Sequence, residues 1–176
     1  MQKQKTNFIV KSAFIGALYA VLTIALGPIS FGNLGIEFRI SEALTILPVF
    51  TFAAVPGLFC GCIIANLVGM AFSGLGIVDV VFGSLATLIA AVLSYFLRNK
   101  KIKGFPLLSF LPPVLSNAII IGLELKIILP DVFPSFIYAF FIIGIGELGT
   151  VFILGVPLYY IISKTPYFKE YFIDKK

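Results

Sequence analysis

The sequence predicts an all-α, polytopic membrane protein with six transmembrane helices and both termini cytoplasmic, built as one domain over residues 1–176. Three observations carry that expectation. Hydrophobic residues make up 60% of the chain and charged residues only 12%. That leaves too few polar groups to cover a soluble domain of this size, so lipid must solvate much of the surface. The apolar residues fall into runs close to the roughly 20 residues a helix needs to cross a bilayer. The cations are clustered. Of the 13 Lys and Arg, all but Arg39 and Lys126 lie before the first apolar run, between Arg98 and Lys103, or after the last run. Under the positive-inside rule these three clusters mark cytoplasmic segments, not a nucleic-acid patch.

Taken in order, the first helix is expected over about Phe8 to Gly27 and the second over about Ile40 to Ala54. The third is expected over about Pro56 to Phe72, where Pro suits a first helical turn and Gly57 a joint. The fourth covers about Ile77 to Leu97, the fifth about Leu107 to Leu125, and the sixth about Ser135 to Ser163. The external connections, PISFGNLGIEF, SGLG and KIILPDVFP, carry turn-forming Gly, Pro, Asn and Asp. The basic N-terminus leads into an apolar run without a small-residue cleavage site, so no cleavable signal peptide is expected.

Catalytic chemistry finds no foothold. The chain has no His, no P-loop and no G-x-S-x-G turn. Cys60 and Cys62 sit one residue apart in an apolar run, a spacing that suits neither a disulfide nor a metal site, and no metal or cofactor is expected. The chain is not expected to hydrolyse ATP by itself.

The informative residues are the polar ones inside apolar helices, because a charge at membrane depth costs at least ~2.5–3.5 kcal/mol and persists where it meets a partner, a cavity or a ligand. Arg39 and Glu42 are spaced i, i+3 and share a helical face, either as an internal ion pair or with Glu42 facing a ligand that Arg39 orients. Glu37 stands just upstream. Asp79 lies near a helix start, where it answers the helix dipole or a ligand. Asn117 and Glu124 are seven apart on one face, and Asn66 lies in the outer part of the third helix. These amides bond either a neighbouring helix or a ligand. Glu147 lies deep in the sixth helix within GIGELG, where glycines permit close approach of a helix or a flat ligand. In the first helix, Ala13 and Ala17, with Gly16 and Ala20, form two small-residue pairs at a spacing of four, suited to close helix packing.

Five separated stretches, RISEALTILPVF, VPGLFCGCIIANLVG, GLGIVDVVFGSLATLIAA, PPVLSNAIIIGLEL and GIGELG, together resemble the queuosine-precursor transporter (QueT) family. Its members are substrate-binding S components of energy-coupling factor (ECF) importers. The resemblance implies capture of a 7-deazaguanine, such as queuine or an aminomethyl- or cyano-deazaguanine, from outside. It also implies docking on a transmembrane scaffold subunit driven by two ATPase subunits, with Ala13, Gly16, Ala17 and Ala20 facing the scaffold. A carboxylate suits the donor edge of such a base. The expected contacts are therefore Glu42 and Glu147, with Asp79, Glu124, Asn66, Asn117, Arg39 and Glu37 around them and Phe38, Phe31 or Tyr138 stacking on the ring. Other S-component cargoes, riboflavin or thiamin, and a purely structural membrane protein whose acids pair helices, are the alternatives.

Overall fold

The computed structural model describes residues 2–27, 39–73 and 75–173, and among these the regular elements are all helices, with no strand. Five helices are long and apolar enough to cross a membrane. They are α1 (Gln2–Ala25), α3 (Ala54–Ser73), α4 (Ile77–Leu97), α5 (Leu111–Ile128) and α6 (Phe136–Lys164). A last short helix, α7 (Pro166–Phe172), follows α6.

The second expected helix differs. In its place is α2 (Ile40–Val49), ten residues of 3-10 geometry. At about 2.0 Å per residue it rises roughly 20 Å, short of a ~30 Å hydrocarbon core. Its residues from Ser41 to Pro48 are all buried, and Pro48 lacks the N–H an α-helix would use there. The segment is apolar because protein surrounds it, not because lipid does. It starts beside Arg39, level with the first turn of α4, and ends at Phe50, whose ring stacks on Tyr159 of α6 at 5.3 Å.

α6 also departs from regularity. After Glu147 the helix widens into a π turn over Gly149–Gly155 before resuming. Gly155 faces Ile46 of α2, so the widened turn and the 3-10 helix lie against each other.

The neighbours run α1 on α3, α3 on α4, α4 on α5 and α5 on α6, with α2 inserted among them. The α1–α3 contact is backbone to backbone. A Cβ on Gly16 would lie 2.8 Å from the Gly57 carbonyl oxygen, and one on Gly61 would lie 2.6 Å from that of Gly16. Only hydrogen side chains permit that approach. Ser12 closes the same seam by donating to the Ala53 carbonyl at 2.9 Å.

Described members of the three basic clusters gather at one end of the bundle. Lys11 of α1 lies over the Tyr171 ring of α7, and Lys169 of α7 borders the same groove as Arg98 and Lys101. Between the ends, the lipid-facing surface is covered by side chains such as Val21, Val81, Ile127 and Ile153, each more than half exposed.

The glycine seam makes a specific demand. Gly61→Ala should destabilise the bundle by about 1–3 kcal/mol, because neither backbone can retreat, while Gly104→Ala, whose Cβ would meet nothing within 4 Å, should act only through its positive φ. Thermal unfolding in detergent checks this, and equal stability of wild type and Gly61→Ala would refute the close seam.

Candidate functional site

Arg39 precedes α2 in extended backbone, and its side chain reaches across to α3 and α4. Nη1 donates to Asn66 Oδ1 at 3.0 Å, and Nη2 donates to Asp79 Oδ1 and Oδ2 at 3.4 and 3.3 Å. Asn66 Nδ2 in turn donates to the Asp79 backbone carbonyl at 2.9 Å. Gly83 leaves room for that amide, since a Cβ there would lie 2.5 Å from Asn66 Nδ2. The clamp is buried, with Arg39 7% and Asp79 1% exposed. The clamp pairs Arg39 with Asp79 across the bundle, a partner that the i, i+3 spacing of Arg39 and Glu42 did not indicate, while the Arg39 charge also acts on Glu42. Helical spacing does not apply to Arg39, because its backbone lies outside the helix.

Glu42 turns toward α1 and α5. One carboxylate oxygen accepts a hydrogen bond from the Tyr19 hydroxyl, and the Asn117 side chain addresses the same carboxylate. Thr23 of α1 donates to Ser41 at 2.6 Å, which pins the start of α2 to the same face.

These groups meet around a small cavity in the middle of the bundle. Arg39, Glu42, Thr87, Asn117 and Glu147 supply its polar wall, Gly83 gives it width, and Ile121 and Ile143 form the apolar side. It encloses about 20 Å³, which is space for about one water. The polar wall therefore holds one cation, two carboxylates, an amide and a hydroxyl. That set can accept hydrogen bonds at two acids, donate from Arg39 and read a mixed edge at Asn117.

The expected site residues divide accordingly. Glu42, Glu147, Asn117 and Arg39 are brought together at the cavity. Asp79 and Asn66 stand behind it and hold Arg39. Glu124 is buried in α5 but lies outside the cavity lining. Tyr138 is half exposed beside Phe133, with ring centroids 6.2 Å apart, and does not reach the cavity. Glu37, Phe38 and Phe31 lie outside the described residues. Of the small residues in α1, Ala13 and Ala17 are exposed, whereas Gly16 and Ala20 turn inward and are buried, Gly16 against α3. The stripe is thus divided lengthwise, its two edges about 60° apart around the helix, one packed inward and the other open.

Sequence reasoning missed Tyr19, Thr87, Gly83, Ile121 and Ile143. Tyr19 carried a usable signal, a phenol inside an otherwise apolar stretch of α1, since a buried Tyr hydroxyl usually finds a partner. The two isoleucines carried none, because an apolar wall residue looks the same as one facing lipid.

Residues 9–164 match the family model described as QueT transporter. A curated relative, the queuosine precursor transporter QueT of Lactococcus lactis subsp. cremoris (strain MG1363), is 30% identical over 165 residues, covering 87% of this chain and 90% of the relative. No solved structure matches the chain.

The clamp can be tested apart from any ligand. Asp79→Asn leaves a buried guanidinium beside a neutral amide and should cost about 3–5 kcal/mol of stability. The double variant Arg39→Met, Asp79→Leu removes both charges and should cost less than the sum of its single variants. A double-mutant cycle on unfolding in detergent measures the coupling, and strictly additive losses would show that the pair is not coupled.

Proposed function

The chain belongs to the QueT transporter family, and on that premise we propose that it is the substrate-capturing S component of an energy-coupling factor importer for a queuosine precursor. The cargo class is a 7-deazaguanine such as queuine or its aminomethyl precursor. One observation supports this reading above the others: Glu42 and Glu147 come from helices far apart in sequence and line one cavity with Asn117. A guanine-like edge offers adjacent N–H donors that a carboxylate accepts as charge-assisted bonds, and an aminomethyl group adds a cation for the second acid. Asn117 reads the remaining edge.

The cavity must widen to admit a bicyclic base. Two irregular segments adjoin the acids, the 3-10 helix carrying Glu42 and the π turn that follows Glu147. Both have weaker backbone bonding than an α-helix, and such segments recur where helices repack for function. Their mutual contact through Gly155 and Ile46 lets one move with the other.

The proposed topology has six passes, the second made by α2 with its flanks, and both termini cytoplasmic with the basic clusters. The exposed Ala13 and Ala17 form the docking face for the scaffold subunit, which works with two ATPase subunits. Gly16 and Ala20 serve the α1–α3 seam and the core instead.

Glu42→Gln and Glu147→Gln are each expected to fold and to bind a 7-deazaguanine about 10- to 100-fold more weakly, the loss of a charge-assisted bond worth about 1.5–3 kcal/mol. Calorimetric titration of purified protein with queuine and its aminomethyl precursor measures this. Full-strength binding by both variants would sink the site assignment. Tight binding of riboflavin or thiamin with none of a deazaguanine would reassign the cargo. Ala17→Trp should abolish co-purification with the scaffold and ATPase subunits while leaving ligand capture intact, and an unaltered complex would exclude this face as the contact.

A further inference from the structure

The C-terminal ends of the apolar spans of α4 and α6 border one groove of about 660 Å³. Its cations come from three separate elements: Arg98 at the end of α4, Lys101 in the following connection and Lys169 in α7. Phe50, Tyr95 and Tyr159 form an aromatic floor, and Ser163 and Asn99 add polar groups. No acid is among the described lining residues. Glu170, the acid next to Lys169, borders the neighbouring groove on the α1 side instead.

Arg98 is held in place. Nη1 donates to the Tyr95 carbonyl at 3.1 Å, and the guanidinium carbon lies 3.5 Å from the Tyr95 ring centroid. A guanidinium has five N–H donors, and its planar fork suits a phosphate. The tyrosine rings lie where an apolar body and a wet edge meet, as at a membrane interface.

We propose that this groove is a binding site for the headgroup of an anionic phospholipid, independent of the cavity at Glu42 and Glu147. The phosphate sits between Arg98, Lys101 and Lys169, the glycerol lies over Tyr95 and Tyr159, and the acyl chains run out past Phe96, an exposed ring 6.0 Å from that of Tyr95. The depth of the groove argues for lipid over a soluble phosphate, because its floor is aromatic and its position coincides with the ends of two spans. Bound there, the lipid ties α4, α6 and α7 together at the basic end.

Near a membrane surface each Lys or Arg contributes roughly fivefold to the binding of an anionic lipid. Native mass spectrometry of the full chain, exchanged into an equal mixture of phosphatidylglycerol and phosphatidylcholine, reads the preference directly. Wild type should retain phosphatidylglycerol in excess. The triple variant Arg98→Gln, Lys101→Gln, Lys169→Gln should lose at least about tenfold of that excess while keeping its helical circular dichroism and its ligand affinity. Equal retention of the two lipids by wild type, or an unchanged excess in a folded triple variant, would overturn the proposal. Displacement of the phosphatidylglycerol by millimolar inorganic phosphate would also overturn it, in favour of a soluble phosphate-bearing ligand. If the triple variant does not fold, Lys101→Gln, an exposed side chain in a connection, carries the test alone with an expected drop of roughly fivefold; an unchanged excess there would overturn the proposal as well.

Discussion

The buried contact of Arg39 with Asp79 and Asn66 organises this bundle. A guanidinium inside a membrane helix bundle is tolerable only with an acid and further hydrogen-bond acceptors around it. The arrangement supplies both, from α3 and α4, to a residue that enters from outside α2. The start of α2 is thereby fixed in depth, and every side chain that follows is fixed with it. Glu42 comes to face Tyr19 and Asn117, and the apolar remainder of α2 is held within protein. Gly83 belongs to the same constraint, since a methyl group there would displace the Asn66 amide that completes the clamp.

A consequence is a division of labour among groups of similar chemistry. Asp79 neutralises Arg39 and stands behind the cavity, while Glu42 and Glu147 line it. Acids in one bundle therefore serve different ends, and distance along the chain is no guide to which. The same division holds for the small residues of α1. Gly16 lets two backbones touch, whereas Ala13 and Ala17, on the adjoining edge of the helix, remain open.

The irregular backbone lies where the acids lie. A 3-10 helix and a π turn lean on each other through Ile46 and Gly155, beside Glu42 and just after Glu147. Regular α-helices on either side, joined by the glycine seam of α1 and α3 and by the close pairing of α4 with α5, give these segments a rigid frame. Two segments with looser backbone bonding thus adjoin the cavity acids, one carrying Glu42 and the other following Glu147.

The sequence alone determined the class of the protein, the bounds of most of its helices and the cast of polar residues. Those follow from local physics: the length of apolar runs, the cost of charge in lipid and the bias of cations toward one side. α4 begins and ends where the apolar run does, and Glu42, Glu147 and Asn117 stood out because lipid-solvated helices rarely carry such groups. The tertiary structure decided the rest. It made the second apolar run a short buried 3-10 helix, because an apolar stretch reads the same whether lipid or protein surrounds it. It paired Arg39 with Asp79, 40 residues away, because its extended backbone released it from helical spacing. It split the stripe on α1 and chose which isoleucines line the cavity, because both depend on helix rotation, which is set by neighbours rather than by the chain's own order.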